Sequence, residues 1–264
     1  MIDASARIHP SALVEDGAAI GPDCVVGPFS IIGPEVRLAD GVEIKSHVVV
    51  TGDTEIGAGS VIFPFASIGE IPQDKKFGGE KTKLVIGARN RIREHVTMNT
   101  GTAGGGGITK VGDDGLFMAG CHIAHDVVVG DRVIVVNQTA LAGHCIVEDD
   151  VIIGGLSGIH QFVRIGKGAI IGALSMVTND VLPHGLVIGP RAELDGLNLV
   201  GLKRRGVARA DIQALRVAFL TLKQGEGTFL ERARRLGDES ESSYVQDMVE
   251  FITGASDRSF LVPK

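Results

Sequence analysis

Four of the eight histidines in this 264-residue chain, His122, His125, His144 and His160, fall in the single stretch 122–160. Asp126 follows His125 and Gln161 follows His160. His125, Gly143 and Gln161 stand at equal intervals of eighteen, and the same interval separates Asp126 from His144. An imidazole beside a carboxylate suits general-base work, because the carboxylate orients the ring while the other nitrogen takes a proton. Three imidazoles could instead hold an open zinc site, and polar residues also populate solvent-facing turns with no chemistry attached. No Ser stands in a Gly-x-Ser-x-Gly elbow, which favours direct transfer to a bound acceptor over a covalent enzyme intermediate. The glycines at 104–107 do not link a strand to a helix and read as a flexible loop, not a phosphate-binding fingerprint. Lys203-Arg204-Arg205 is a compact cationic cluster that suits phosphate or a solvated surface. Lys75, Lys76, Lys81 and Lys83 add positive charge upstream. His9, His47, His95 and His184 stand apart and are read as ordinary structural residues.

The interval of eighteen gains meaning from a shorter count. An aliphatic residue recurs every six positions from Ile2 to Ile68, then at Ile86, Ile92 and Met98. After a shift of one it runs from Val111 to Val177, with Phe117 as the one aromatic. Period six is neither helical nor simple alternation. It fits a short strand and a corner, repeated, with the aliphatic inward. The glycine that often follows (Gly21, Gly27, Gly57, Gly87, Gly130) is expected to permit the tight corner. Three such sides close one triangular coil, and stacked coils pair as parallel strands. Side chains three hexads apart then stack on successive coils, so His122, His125, His144, His160, Asp126 and Gln161 gather at one corner. The expected class is mainly β, a parallel β-helix of hexapeptide repeats over 1–190, followed by a C-terminal helical domain over 191–264.

Two segments, 69–85 and 99–110, interrupt the count and read as surface loops. Beyond 190 the pattern becomes helical. One helix is expected over 209–224, with Ile212, Leu215, Val217, Phe219 and Leu222 near one face. Another is expected over 240–254, with Ser240 as N-cap and Gly254 as stop. A third is placed around 228–236.

Composition sets the limits. Hydrophobic residues are 44%, yet aromatics are 4%, with ten Phe, one Tyr and no Trp, so a core must be built from aliphatic side chains. The net charge of −6 argues against nucleic acid as a partner. No apolar stretch is long enough for a membrane span, and the N-terminus shows no secretory signal pattern. Three cysteines without CxxC spacing read as reduced thiols in a cytoplasmic protein.

The stretches SHVVV (46–50), FASIGE (65–70), QDKKFGGE (73–80), GGGGITKVG (104–112), HIAHD (122–126), LAGH (141–144) and NLVGLKRRG (198–206) closely resemble the UDP-N-acetylglucosamine 3-O-acyltransferase family, whose members begin lipid A assembly. The resemblance implies a left-handed coil and a homotrimer with its active sites between neighbouring β-helices. It implies transfer of an (R)-3-hydroxyacyl group from acyl carrier protein to the 3-OH of UDP-N-acetylglucosamine. No cofactor or metal is implied beyond the phosphopantetheine carried by the donor. His125 matches the general base, Asp126 its orienting carboxylate and the Gly143 N–H an oxyanion donor. Gln73, Asp74, Lys76, His122, His144, His160 and Gln161 match the groove for sugar and pantetheine. Asn198, Arg204 and Arg205 match the nucleotide end, Ala173 the acyl-length stop, and Arg216 the carrier-protein surface. Val200 stands where the family often has Glu, and Asn99 where some members have His. Relatives that acylate a 3-amino sugar, the N-acyltransferase of the same pathway, a zinc-dependent carbonic-anhydrase-like hexapeptide protein and a noncatalytic scaffold are the competing readings.

Overall fold

The structure is a computed structural model that describes residues 1–263. Each hexad contributes a strand, most of them two residues long, whose second residue is the periodic aliphatic. Every third strand pairs in parallel: Arg7 with Val25, Leu13 with Ile31, Ala19 with Arg37. The outcome is a left-handed parallel β-helix with three sheets as the faces of a triangular prism. We call them first, second and third in the order in which Arg7–Ile8, Leu13–Val14 and Ala19–Ile20 enter them. From Ile20 to Val177 every member of the count is buried, while Ile2, Ile8 and Val14 are more open because the terminal coil has nothing below it. Cys24, Cys121 and Cys145 are buried free thiols. Burial pushes the last two up to about 11 and about 12.

The interruptions keep or shift phase for a countable reason. Ordinary coils pair positions eighteen apart, as Leu38 and Ile56 do. Across the first interruption Ile56 pairs with Ile86, so two whole hexads are inserted and the count of six survives. Across the second, Ile86 pairs with Val111, so one hexad and one further residue are inserted and the phase moves by one. The excursions are narrower than expected. Strands Ser67–Glu70, Lys83–Ile86, Thr97–Asn99 and Ile108–Val111 run into them, leaving residues 71–82 and 100–107 outside the sheets.

The corner glycines serve the expected purpose, leaving no room for a Cβ at the corner. Gly57 and Gly87 are not left-handed. They lie so near the next coil that a methyl group on Gly57 would sit 2.4 Å from the Gly87 carbonyl carbon. The left-handed backbone falls two residues later, often on Asp, His or Phe, as at Asp126, His144 and Phe162, with φ of 59°, 62° and 65°. Short polar side chains tolerate that conformation better than most.

Strands Gly185–Ile188 and Glu193–Leu197 form an antiparallel pair that extends the first sheet past residue 190. Four helices follow: α1 (Leu199–Arg204), α2 (Arg209–Gln224), α3 (Phe229–Glu239) and α4 (Ser243–Thr253). The short α1 has no counterpart among the expected elements, and α2 matches its expected bounds. Val217 is 51% exposed, because two residues past Leu215 lie about 200° around the helix. Ala218 takes the inner place. Ser240 caps the end of α3, and Ser242 precedes α4. Serines at 240, 242 and 243 left that boundary ambiguous in the sequence. A buried ion pair within the prism, Arg164 to Asp180 at 2.7 Å, anchors the helices, with Arg164 donating to the Phe251 carbonyl of α4 at 3.1 Å. The Arg164 guanidinium also lies 4.4 Å from the Phe251 ring of α4.

Candidate active site

Both excursions leave the prism at the corner between the second and third sheets, since the strands that precede them belong to the second sheet. His125 and Asp126 occupy the same corner one coil above the second excursion, and Gly143 and His144 the next coil up. His125 is 6% exposed, and its Nδ1 lies 2.8 Å from Asp126 Oδ2. The same Oδ2 accepts the Thr102 hydroxyl at 2.6 Å, and Oδ1 accepts the Thr102 N–H at 2.9 Å. The Asp126 N–H donates to Thr109 Oγ1 at 2.8 Å. A carboxylate bound on both oxygens cannot rotate freely, so it holds Nδ1 of His125 as the donor and leaves Nε2 as the basic nitrogen.

The glycines around this pair are sites of close approach. A methyl group on Gly105 would stand 2.0 Å from the Asp126 carboxyl carbon, and one on Gly101 2.8 Å from its Oδ1. The Gly-rich excursion is therefore a cover pressed onto Asp126. Above it, a methyl on Gly143 would meet His125 Cε1 at 2.5 Å and Nε2 at 2.7 Å. The Gly143 N–H makes no hydrogen bond among the described residues. Its place in the coil is held by Pro22, Pro28 and Pro64 elsewhere, so this N–H has no part in the ladder. It is an unengaged donor beside the basic nitrogen.

Around this centre, His144 lies edge-on to His125 with ring centroids 5.0 Å apart and stacks on Phe162 at 4.5 Å. Burial lowers the His144 pKa, with Asp126 opposing. His122, outward on the second sheet, has its Nδ1 2.7 Å from the Thr97 hydroxyl. Burial, then the neighbouring His125, lowers its pKa. Asp74 of the first excursion acts electrostatically on His144 and accepts the Lys76 N–H at 3.0 Å, while the side chains of Gln73 and Lys76 are exposed. Lys83 is not a free cation, being paired with Glu55 at 2.9 Å. Arg258 of the C-terminal tail closes the far side, donating to His160 Nδ1 at 2.6 Å and to the Gln161 carbonyl at 3.0 Å.

The other expected site residues lie elsewhere on the chain. Asn198 and Arg205 sit by the corner between the third and first sheets. Asn198 Nδ2 donates to the Gly168 carbonyl at 3.0 Å, and its Oδ1 accepts from Gly201 N–H at 2.9 Å, capping α1. Arg204 is exposed at the end of α1, and Val200 is 61% exposed at its start. Ala173 is exposed at the remaining corner, next to Leu174 and one coil above Gly155 and Leu156. Arg216 is exposed on α2. Asn99 is buried, its amide donating to the Glu70 carbonyl at 3.2 Å. Thr102, Thr109, Gly101 and Arg258 are site residues that the sequence reading did not single out, and Gly105 was read only as part of a flexible loop. The run of glycines was a usable signal of close approach, whereas Arg258, far along the chain from His160, gave none.

His125, Asp126 and His144 place one ligand atom each within 4.8 Å of one another, the arrangement a zinc site would need. The Asp126 oxygens are already committed to Thr102 and His125, so hydrogen bonding accounts for the His125–Asp126 pair, while His144 Nδ1 stands 3.9 Å from Asp126 Oδ2.

Residues 180–261 match the family model described as UDP-N-acetylglucosamine O-acyltransferase domain 2, and residues 17–52 match the bacterial transferase hexapeptide model. A Paracoccus denitrificans protein named acyl-[acyl-carrier-protein]–UDP-N-acetylglucosamine O-acyltransferase is 64% identical over 203 residues, 77% of each chain. A protein of the same name from Rhizobium leguminosarum bv. trifolii is 50% identical over 99% of this chain and 97% of its own. The solved UDP-N-acetylglucosamine acyltransferase from Campylobacter jejuni superposes with a TM-score of 0.92 at 39% identity, covering 98% of this chain and 100% of that one.

Proposed function

This chain belongs to the acyl-[acyl-carrier-protein]–UDP-N-acetylglucosamine O-acyltransferase family, and from that premise we infer that it moves an acyl group from acyl carrier protein to UDP-N-acetylglucosamine in lipid A synthesis. The group transferred is an (R)-3-hydroxyacyl chain and the acceptor is the glucosamine 3-OH. His125 Nε2 takes the hydroxyl proton as the oxygen attacks the thioester carbon. Asp126 holds the ring and stabilises the imidazolium. The Gly143 N–H receives the oxyanion. Collapse breaks the C–S bond, and the leaving thiolate recovers the proton from His125. Cys121 and Cys145 are buried thiols with high pKa, so neither is a nucleophile, and transfer is direct. No metal or resident cofactor takes part.

The observation that carries this reading is the buried His125–Asp126 pair, oriented by Thr102 and topped by a glycine with no room for a side chain. Gln73, Asp74, Lys76, His122, His144, His160 and Gln161 line the groove for sugar and pantetheine. Asn198, Arg204 and Arg205 hold the nucleotide. Because they sit at a different corner of the prism, one acceptor needs His125 of one protomer and Arg205 of its partner, which favours a homotrimer. The three free, buried cysteines fit a reducing compartment, the cytoplasm; no helix among the described residues is long and apolar enough to cross a membrane. Arg216 contacts the acidic carrier protein, and Ala173 ends the acyl groove.

Purified protein with UDP-N-acetylglucosamine, its 3-amino analogue and hydroxyacyl carrier proteins of several lengths tests the assignment. The 3-OH sugar is acylated, His125→Ala lowers kcat by ~100-fold or more, and a chelator changes nothing. Ala173→Gly moves the preference towards longer chains, since the methyl group of Ala173, exposed on the single chain, would stop the acyl end once a neighbouring protomer closes the groove over it. Full activity in His125→Ala, or loss of activity with chelator, refutes the mechanism.

A further inference from the structure

His184 has no place in the reaction as described, yet it is one of the most enclosed titratable groups in the molecule, 2% exposed. It occupies the corner by which the prism meets the helices, with its backbone left-handed at φ 59°. Its N–H donates to the Lys167 carbonyl at 2.8 Å, and its own carbonyl accepts the Asn198 N–H at 2.7 Å. Its Nδ1 faces an Arg205 guanidinium nitrogen at 3.3 Å. The guanidinium has no lone pair to accept a proton, so Nδ1 is the acceptor and the ring proton resides on Nε2. Nε2 is buried and finds no partner, and the Tyr244 ring of α4 lies 5.6 Å away, centroid to centroid. Gly168 completes the setting. A methyl group there would strike Arg205 at 2.5 Å and His184 Nδ1 at 2.7 Å, so the glycine makes room for this contact.

Arg205 forms no ion pair among the described residues. The carboxylate that feels it, Asp150, is bonded to Arg132 at 2.8 Å. A carboxylate would orient Arg205 and also cancel its charge. A neutral imidazole orients it and leaves the charge for an incoming anion. Burial and the nearby Arg205 and Lys167 keep His184 uncharged near neutrality.

We propose that His184 is a positioning residue for acceptor binding: its Nδ1 aims Arg205, and its carbonyl fixes Asn198, so that an uncompensated guanidinium faces the diphosphate of the sugar nucleotide. This rests on the assignment of Arg205 to the nucleotide end. The test compares His184→Leu, which removes the acceptor, with His184→Asn, which restores a neutral one, and His184→Asp, which supplies a charged one. KM for UDP-N-acetylglucosamine, KM for acyl carrier protein and kcat are measured for each, with the melting temperature. His184→Leu raises the sugar-nucleotide KM about tenfold, the size of one lost charge-assisted contact, with the carrier-protein KM and kcat unchanged. His184→Asn stays near wild type. His184→Asp is as poor as His184→Leu although it binds Arg205 more strongly. An unchanged sugar-nucleotide KM in His184→Leu overturns the proposal, as does equal impairment of His184→Asn and His184→Leu in both KM values, which marks a packing role. Arg205→Ala separates the two levels. If it raises the sugar-nucleotide KM while His184→Leu does not, only the positioning role fails. If Arg205→Ala is itself normal, the nucleotide assignment fails first.

Discussion

Thr102 shows how much rests on single residues. Its hydroxyl and N–H take one oxygen each of Asp126, and the carboxylate in turn sets the tautomer of His125. Thr102→Val keeps the shape and removes the hydroxyl. A hydrogen bond to a charged group is worth about 1.5–3 kcal/mol, so kcat falls about tenfold or more with KM values little changed, and Thr102→Ser recovers most of the loss. Equal steady-state kinetics in Thr102→Val would sink the orienting role. His184 supports a separate prediction in stability. Its pKa is pushed down to about 4 by burial and then by Arg205 and Lys167, from an ordinary 6.5. As pH falls through 6.5 the unfolded chain takes up this proton while the folded chain resists it. The folded state therefore loses stability on acidification, by roughly 2 kcal/mol between pH 7 and 5. Urea unfolding at both pH values checks this. His184→Asn shows the shallower dependence, and parallel slopes in the two proteins would contradict a neutral buried ring.

At the scale of elements, the corner proposed as catalytic is a product of coil stacking and of the two excursions that leave beside it. The strands are too short to stand alone, and each is held by its neighbours above and below. The helices depend on a more local device. Asp180 is fully buried and bonded to Arg164, which also donates to the Phe251 carbonyl of α4 at 3.1 Å. Asp180 accepts the Ser256 hydroxyl from the tail that carries Arg258. Asp180→Ala leaves a mostly buried guanidinium unpaired and costs about 3–5 kcal/mol, read as a lower denaturation midpoint. A change below about 1 kcal/mol would show that solvent reaches the pair.

For the whole molecule, the separation of His125 from Arg205 onto different corners leads to a test of assembly. At sugar-nucleotide concentrations well below KM, chains carrying His125→Ala and chains carrying Arg205→Ala each show little activity. Co-expressed, they recover activity, because in the proposed homotrimer some mixed assemblies join an intact His125 of one protomer to an intact Arg205 of its partner. No recovery would place the whole site within one chain. The basic outer face of α2, with Arg209, Arg216 and Lys223 exposed, is the surface proposed for the acidic carrier protein. Its KM accordingly rises with ionic strength, and a flat salt profile in Arg216→Ala and wild type alike would remove that surface from the account.

The count of six determined the prism, because an inward residue every sixth position has only one way to be buried, and the interval of three hexads then determined that His125, Gly143 and Gln161 stack. The two insertions were visible as a kept and a shifted phase. Only the tertiary structure decided that the glycines of the second excursion press on Asp126, that Arg258 of the tail folds back to His160, that left-handed corner positions fall on Asp126 and His144 at the site, and that Arg205 leans on His184. Periodicity reports which side of its own element a residue faces. It carries no record of which distant segment folds back over that face, since that contact is chosen by shape and hydrogen bonding between parts of the chain that share no repeat.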